Sequence, residues 1–280
     1  MIKQQPVGSM DRREKGRVRF VTADPTARVS KAHVRALDAD RVERYLNRIG
    51  VRPSGPPTLA ALGALSHAHC TTIPFENLDI HLEKAISLVP DEIVDKITSG
   101  HRGGFCYELN GAFASLLTSL GYDVDLLEAR VYSGGRLGVR FDHLTFVAYF
   151  EGGEWLIDVG FGILIPAPIR IDELGSAGTF YLAPTETDWI DLVDAGVLQY
   201  SFDRRPHRLV DFAAACIYHQ TSVDSAFTKK TICTLPNDRG KVTISGRDLI
   251  VTVDGVKSRR TITDDDELKS LYETEFGLSL

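Results

Sequence analysis

Arg102-Gly103-Gly104-Phe105-Cys106-Tyr107-Glu108 is the segment from which the rest of this chain becomes readable. Two adjacent glycines let the backbone turn tightly into a helix whose first residue is a cysteine. A thiol at a helix N-terminus meets the positive end of the dipole and unpaired N–H groups, and both favour the nucleophilic thiolate. The same N–H groups are placed to receive an oxyanion. The motif alone also allows Cys106 to be a small buried hydrophobe that starts a helix.

Outward from Cys106, Leu109, Phe113, Leu116, Leu117 and Leu120 recur at helical spacing and Gly121 ends the pattern, which predicts a helix over 106–120. Upstream, Val42, Tyr45, Leu46 and Ile49 predict a helix that stops at Gly50. Leu59, Leu62, Leu65 and His69 line a second helix behind Thr58. The segment 88–97 is a third, with Pro90 at its start and Gly100 at its end. From Tyr122 the period changes to two. Strands are expected over 128–132, 141–150 and 154–161, then around 179–182 and 197–202, with Glu151-Gly152-Gly153 as a hairpin turn. The last third reads as a meander over 242–245, 249–253 and 257–262, followed by a helix from Thr263. Asp264, Asp265, Asp266 and Glu267 read as a capped helix start, where acidic residues suit the dipole, in preference to a metal site.

The 280 residues carry 43% apolar and 25% charged side chains, which excludes wholesale disorder and low-complexity character. No apolar run approaches the roughly 20 residues of a membrane span, and the first residues show no secretory pattern, so a cytoplasmic location is expected. The net charge of −6 argues against a nucleic-acid partner, although residues 1–37 hold nine Lys/Arg against three Asp/Glu. That basic stretch is expected to be a flexible extension, and Gly8-Ser9-Met10 resembles a cloning remnant. Cys70, Cys106, Cys216 and Cys233 make no CxxC pair and are expected as free thiols. His67-Ala68-His69-Cys70 suggests a metal or heme cluster, but its spacing does not place all three side chains on one helical face.

A thiolate nucleophile needs a base, and the base an orienting group. His143 and Asp158 lie in the two strands expected to form the hairpin. Asp158 is set among Leu, Ile, Val and Phe, where an unpaired charge is costly. With Glu151 and Gly152 as the central turn residues, Asp158 faces Thr145, and His143 is its diagonal neighbour about 7–8 Å away. With Gly152 and Gly153 at the turn, Asp158 faces Val147 and His143 is out of reach. The residues leave both registers open.

Five segments together resemble the arylamine N-acetyltransferases: Ile73-Pro74-Phe75-Glu76-Asn77-Leu78, 102–110, His143-Leu144-Thr145-Phe146-Val147, Asp158-Val159-Gly160-Phe161-Gly162, and 215–219 with 224–228. They occur in the family's order over residues 38–280. The resemblance implies an α+β, papain-like cysteine-triad fold: a helical bundle over 38–121, an antiparallel β-barrel over 122–222, and an α/β lid over 223–280. It implies a triad of Cys106, His143 and Asp158, and ping-pong transfer of an acetyl group from acetyl-CoA to an arylamine, arylhydrazine or arylhydroxylamine. Acetyl-CoA would be a substrate, with no permanently bound cofactor and no metal.

The resemblance further points to Phe75 and Phe227 as aromatic walls for the acceptor, and to Glu76 and Arg102 as a supporting ion pair beneath the nucleophile. The loop Ser133-Gly134-Gly135-Arg136 reads either as a plain turn or as a gate to the cleft, whose glycines permit close approach of the CoA arm and whose Arg136 is placed to meet a phosphate. Two departures bear on the acceptor pocket: Ile163 stands where the family often has glycine, and Phe141 precedes the base closely enough to reshape the pocket. The same motifs serve amide synthases that close ansamycin rings, and a papain-like cysteine hydrolase shares the triad. The sequence does not set the oligomeric state.

Overall fold

The computed structural model describes residues 34–279; the greater part of the basic segment 1–37 lies outside the described residues. Its helices are α1 (Ala39–Ile49), α2 (Leu59–Thr72), α3 (Leu78–His81), α4 (Pro90–Thr98), α5 (Cys106–Ser119), α6 (Ala213–Thr221), α7 (Ala226–Lys229) and α8 (Asp265–Phe276). Local chemistry sets their ends. The Asp38 and Thr58 side chains cap α1 and α2, Gly50 closes α1 at φ 70°, and Asp264 caps α8 through Glu267 N. The acidic run at 264–267 is therefore a helix start. No helix among the described residues is long and apolar enough to cross a membrane.

The strands are β1 (Phe75–Glu76), β2 (Asp123–Ser133), β3 (Arg136–Leu137), β4 (His143–Phe150), β5 (Gly153–Ile157), β6 (Ile169–Arg170), β7 (Ser176–Ala177), β8 (Phe180–Pro184), β9 (Trp189–Asp194), β10 (Val197–His207), β11 (Ile232–Asn237), β12 (Gly240–Ser245), β13 (Asp248–Val253) and β14 (Val256–Thr261). One antiparallel sheet runs β6-β5-β4-β2-β10-β9-β8-β7 and curls until its two ends nearly meet. Its interior is filled by Leu127, Val147, Leu156, Leu192, Tyr200 and Phe202, among others. The second sheet runs β1-β11-β12-β13-β14 and packs α8 through Tyr272 and Phe276. Its first strand comes from the Ile73-to-Leu78 segment, far away in the chain. This is the α+β arrangement of helices, barrel and C-terminal sheet that the sequence implies.

Several elements depart from the sequence expectation, among them β9 (Trp189–Asp194), α3 and α7, which it does not contain. The strand expected to run to Phe161 ends at Ile157, so Asp158 stands just beyond it. Helix α6 was not anticipated, because Ala213-Ala214-Ala215 gives little amphipathic signal. Strand β11 was masked by Pro236, normally a poor residue in a sheet interior. Strand β1 is only two residues long and pairs Phe75 with Thr234, so Pro236 lies beyond its end, where a missing N–H costs no ladder bond.

Helix α5 is the centre of the molecule. Every residue from Cys106 to Leu117 is buried, against α1, α4, β2 and β4. A helix enclosed on all sides is held by packing, and its first residue is thereby fixed in space.

Candidate active site

The two glycines before Cys106 work by close approach, not by unusual φ. A Cβ on Gly103 would lie 2.0 Å from the Pro74 carbonyl oxygen, and one on Gly104 would lie 2.6 Å from Glu108 Oε2. Only glycine lets this segment run beside β1, where Glu76 N donates to Gly104 O at 2.8 Å. Glu108 then accepts from Phe105 N at 3.2 Å, satisfying a donor at the helix start.

At the start of α5 lies a largely buried network of three carboxylates and two cations. Arg102 donates to Glu76 Oε1 from Nε (3.0 Å) and Nη2 (2.7 Å), and pairs with Asp79 through Nη1 at 2.9 Å. Lys96 Nζ bridges Asp79 and Glu108, each at 2.7 Å. Burial pushes the Glu108 carboxyl up to about 7, against the pull of Lys96. Burial opposes the charge of Lys96 too, but Glu108, Glu76 and Asp79 hold it above its ordinary value.

His143 begins β4. Its Nε2 donates to Asp158 Oδ2 at 2.6 Å, which leaves Nδ1 for Cys106. The turn that permits this has Glu151 at φ 50° and Gly152 at φ 72°, the two left-handed residues of a type I′ hairpin. It pairs Phe150 with Gly153 and Phe146 with Ile157, which carries Asp158 to the level of Thr145. The first of the two registers is thus the one formed. Asp158 Oδ1 accepts from Asn110 Nδ2 and from Gly160 N, both at 2.9 Å. Asn110 also donates to Leu144 O at 2.6 Å and accepts from Val159 N at 2.8 Å, tying α5, β4 and the end of β5 into one unit. Cys106, His143 and Asp158 are only 3%, 2% and 4% exposed. Burial alone would lower the His143 pKa. The Asp158 charge and hydrogen bond, with the contribution of Cys106, outweigh it and push the value to about 10.

The cleft above these residues encloses about 900 Å³. Cys106, His143, Phe75, Phe227, Gly134 and Arg136 line it, so the structure brings most of the sequence-predicted residues to one place. Phe75 and Phe227 have ring centroids 6.0 Å apart. Gly135 turns the hairpin between β2 and β3 at φ 83° without reaching the cleft lining.

Phe141 does not belong to the cleft. At φ 59° its side chain is directed away and packs edge-on against His207 and Phe212 at 5.0 and 5.2 Å. Ile163 packs against the barrel interior. Sequence reasoning missed Asn110, although its position four residues after Cys106 places it on the same helical face. It also missed Phe161, edge-on to His143 at 5.2 Å, and His219, which reaches the cleft from α6.

His67, His69 and Cys70 form no cluster: His67 bonds Asp238, His69 bonds Tyr45, and Cys70 is buried. Glu128, Asp203 and His207 bring ligand-type atoms within 4.8 Å of one another, but Arg140 holds Glu128 and Arg205 holds Asp203.

The sequence model of a family described as N-acetyltransferase matches residues 58–280. The chain belongs to that family. Among N-acetyltransferase relatives, the arylamine N-acetyltransferase of Mycobacterium bovis is 31% identical over 260 residues, spanning 84% of this chain and 88% of the relative. Proansamycin X synthase of Amycolatopsis mediterranei is likewise 31% identical over 253 residues, spanning 82% and 94%. The solved structure of the Mycobacterium marinum arylamine N-acetyltransferase in complex with CoA superimposes with a TM-score of 0.77 at 28% identity, covering 85% of this chain and 92% of that one.

Proposed function

We propose that this N-acetyltransferase family member transfers the acetyl group of acetyl-CoA to an arylamine, arylhydrazine or arylhydroxylamine by way of an acetyl-Cys106 intermediate. The observation that carries this reading is the 2.6 Å His143–Asp158 bond beside a cysteine that starts a buried helix in the same cleft.

Cys106 thiolate attacks the thioester carbonyl, with its proton held on His143. The first-turn N–H groups of α5 face the developing oxyanion. As the tetrahedral intermediate collapses, the bond to the CoA sulfur breaks and CoA leaves as a thiol, taking the proton from His143. The acceptor nitrogen then attacks acetyl-Cys106, passes its proton to His143, and expels the thiolate. Asp158 keeps His143 in one orientation and stabilises the imidazolium. In this reading Phe75 and Phe227 flank the acceptor ring, Gly134 and Arg136 receive the CoA arm, and Arg102 with Glu76 supports the nucleophile. The reaction takes place in the cytoplasm.

The test is intact mass after mixing with acetyl-CoA and no acceptor, beside Cys106→Ser. The expected result is a gain of one acetyl group, absent in the variant and discharged by an arylhydrazine. No gain, with Cys106 still open to alkylation, would overturn the assignment of the donor. The 31% identity to proansamycin X synthase supports a second reading, amide synthesis from a polyketide thioester. Acylation by a simple aryl-polyketide thioester, and not by acetyl-CoA, would select it.

A further inference from the structure

A second histidine, His219, enters the cleft with both ring nitrogens engaged. Its Nε2 lies 3.1 Å from Asp142 Oδ1 and 3.2 Å from Asp142 O, and its Nδ1 lies 3.2 Å from Ser225 Oγ. Asp142 precedes His143 and accepts from Val131 N through Oδ2 at 3.1 Å. The same oxygen sits where a Cβ on Gly138 would lie only 1.9 Å away, so the 131–138 arm closes against this carboxylate. Ser225 caps α7 by accepting from Phe227 N at 3.2 Å. One imidazole thus joins the arm on one side of the cleft to the short helix on the other.

Helix α7 needs such an anchor. It has four residues and buries none of them, too short to hold its own shape. On one side Asn77 and His81 bond the Phe227 carbonyl, each at 2.9 Å. On the other, the His219 ring stands edge-on to Phe227 at 5.2 Å. The Phe227 ring in turn meets Phe105 and Phe75 near 6 Å, beside Cys106.

We propose that His219 is a positioning residue for the acyl acceptor: by bridging Asp142 and Ser225 it sets the place of Phe227, and it takes no proton or acyl group itself. This rests on the acyl-transfer reading above. The bridge spans the acceptor wall and leaves the His143–Asp158 pair untouched, so the two half-reactions separate.

The experiment measures, for the wild type, His219→Leu and His219→Gln, the single-turnover acetylation of Cys106 by acetyl-CoA and the discharge of acetyl-Cys106 to an arylhydrazine. In His219→Leu, acetylation is expected within twofold of wild type while the acceptor KM rises about tenfold, the loss of two ordinary hydrogen bonds. His219→Gln, which keeps a donor for Asp142, is expected to recover part of that rise. An acceptor KM within twofold of wild type in His219→Leu would overturn the inference, as would equal slowing of both half-reactions. Failure of the wild type to acetylate would instead overturn the acyl-transfer reading, and this inference with it.

Discussion

Asn110 Nδ2 donates to Asp158 Oδ1 at 2.9 Å, so the residue one turn beyond Cys106 on α5 holds the carboxylate that orients His143. Asn110 also bonds Leu144 O and Val159 N, so it links the helix that begins at Cys106 to the strand that begins at His143. Asn110→Ala would leave buried polar groups unpaired and is expected to cost about 2–4 kcal/mol of stability. It is also expected to slow acetylation of Cys106 by up to about a hundredfold, because Cys106 and His143 lose a shared support. Urea denaturation with single-turnover mass spectrometry checks both. A variant as stable as the wild type would show that Asp158 finds another donor.

The raised His143 pKa gives a signed expectation. With Asp158 and Cys106 beside it, the imidazole keeps its proton to about 10, well above its ordinary value. Its contribution to stability is then fully present below about pH 6.5 and is lost as pH rises through about 10. Asp158→Asn removes the main support, so its stability deficit is expected to shrink as pH rises toward 10. Histidine NMR titration should find the midpoint near 10 in the wild type and lower in the variant. Acetyl transfer in Asp158→Asn is expected to fall roughly a thousandfold.

Glu108 has the same sign in a lower pH window, although here burial of the charge is the cause. Burial raises its folded pKa to about 7, so the unfolded chain gives up this proton more readily than the folded one. The wild type is expected to lose stability as pH rises from about 4.5 through 7, relative to Glu108→Gln, which has no charge to bury. Paired urea titrations at pH 5 and pH 8 read the difference. A gap between the two proteins that does not change with pH would refute it.

The glycines separate two kinds of constraint. Gly103→Ala would drive a Cβ to 2.0 Å from the Pro74 carbonyl, and several kcal/mol of destabilisation is expected. Gly134→Ala meets open space and bears only the left-handed conformation at φ 60°, about 1–2 kcal/mol. Thermal unfolding of the two variants should rank them in that order.

The sequence by itself determined the helical first third, the change to a two-residue period at Tyr122, and Cys106 at the start of a helix. Each is set by neighbours within a few residues, through side-chain periodicity, caps and glycines. It also carried the five segments whose order marks the family. Tertiary structure decided what long-range pairing alone can fix. The choice between two hairpin registers rested on one turn, and only the formed register takes Asp158 to His143. Phe141, three residues from the cleft-lining Gly138, is turned away by its own left-handed φ into contact with Phe212, some 70 residues later in the chain. His219 lies beyond the barrel strands in sequence and meets Asp142 only because α6 packs back across the cleft. A side chain's type is local information, but its partner is chosen by how the whole chain closes.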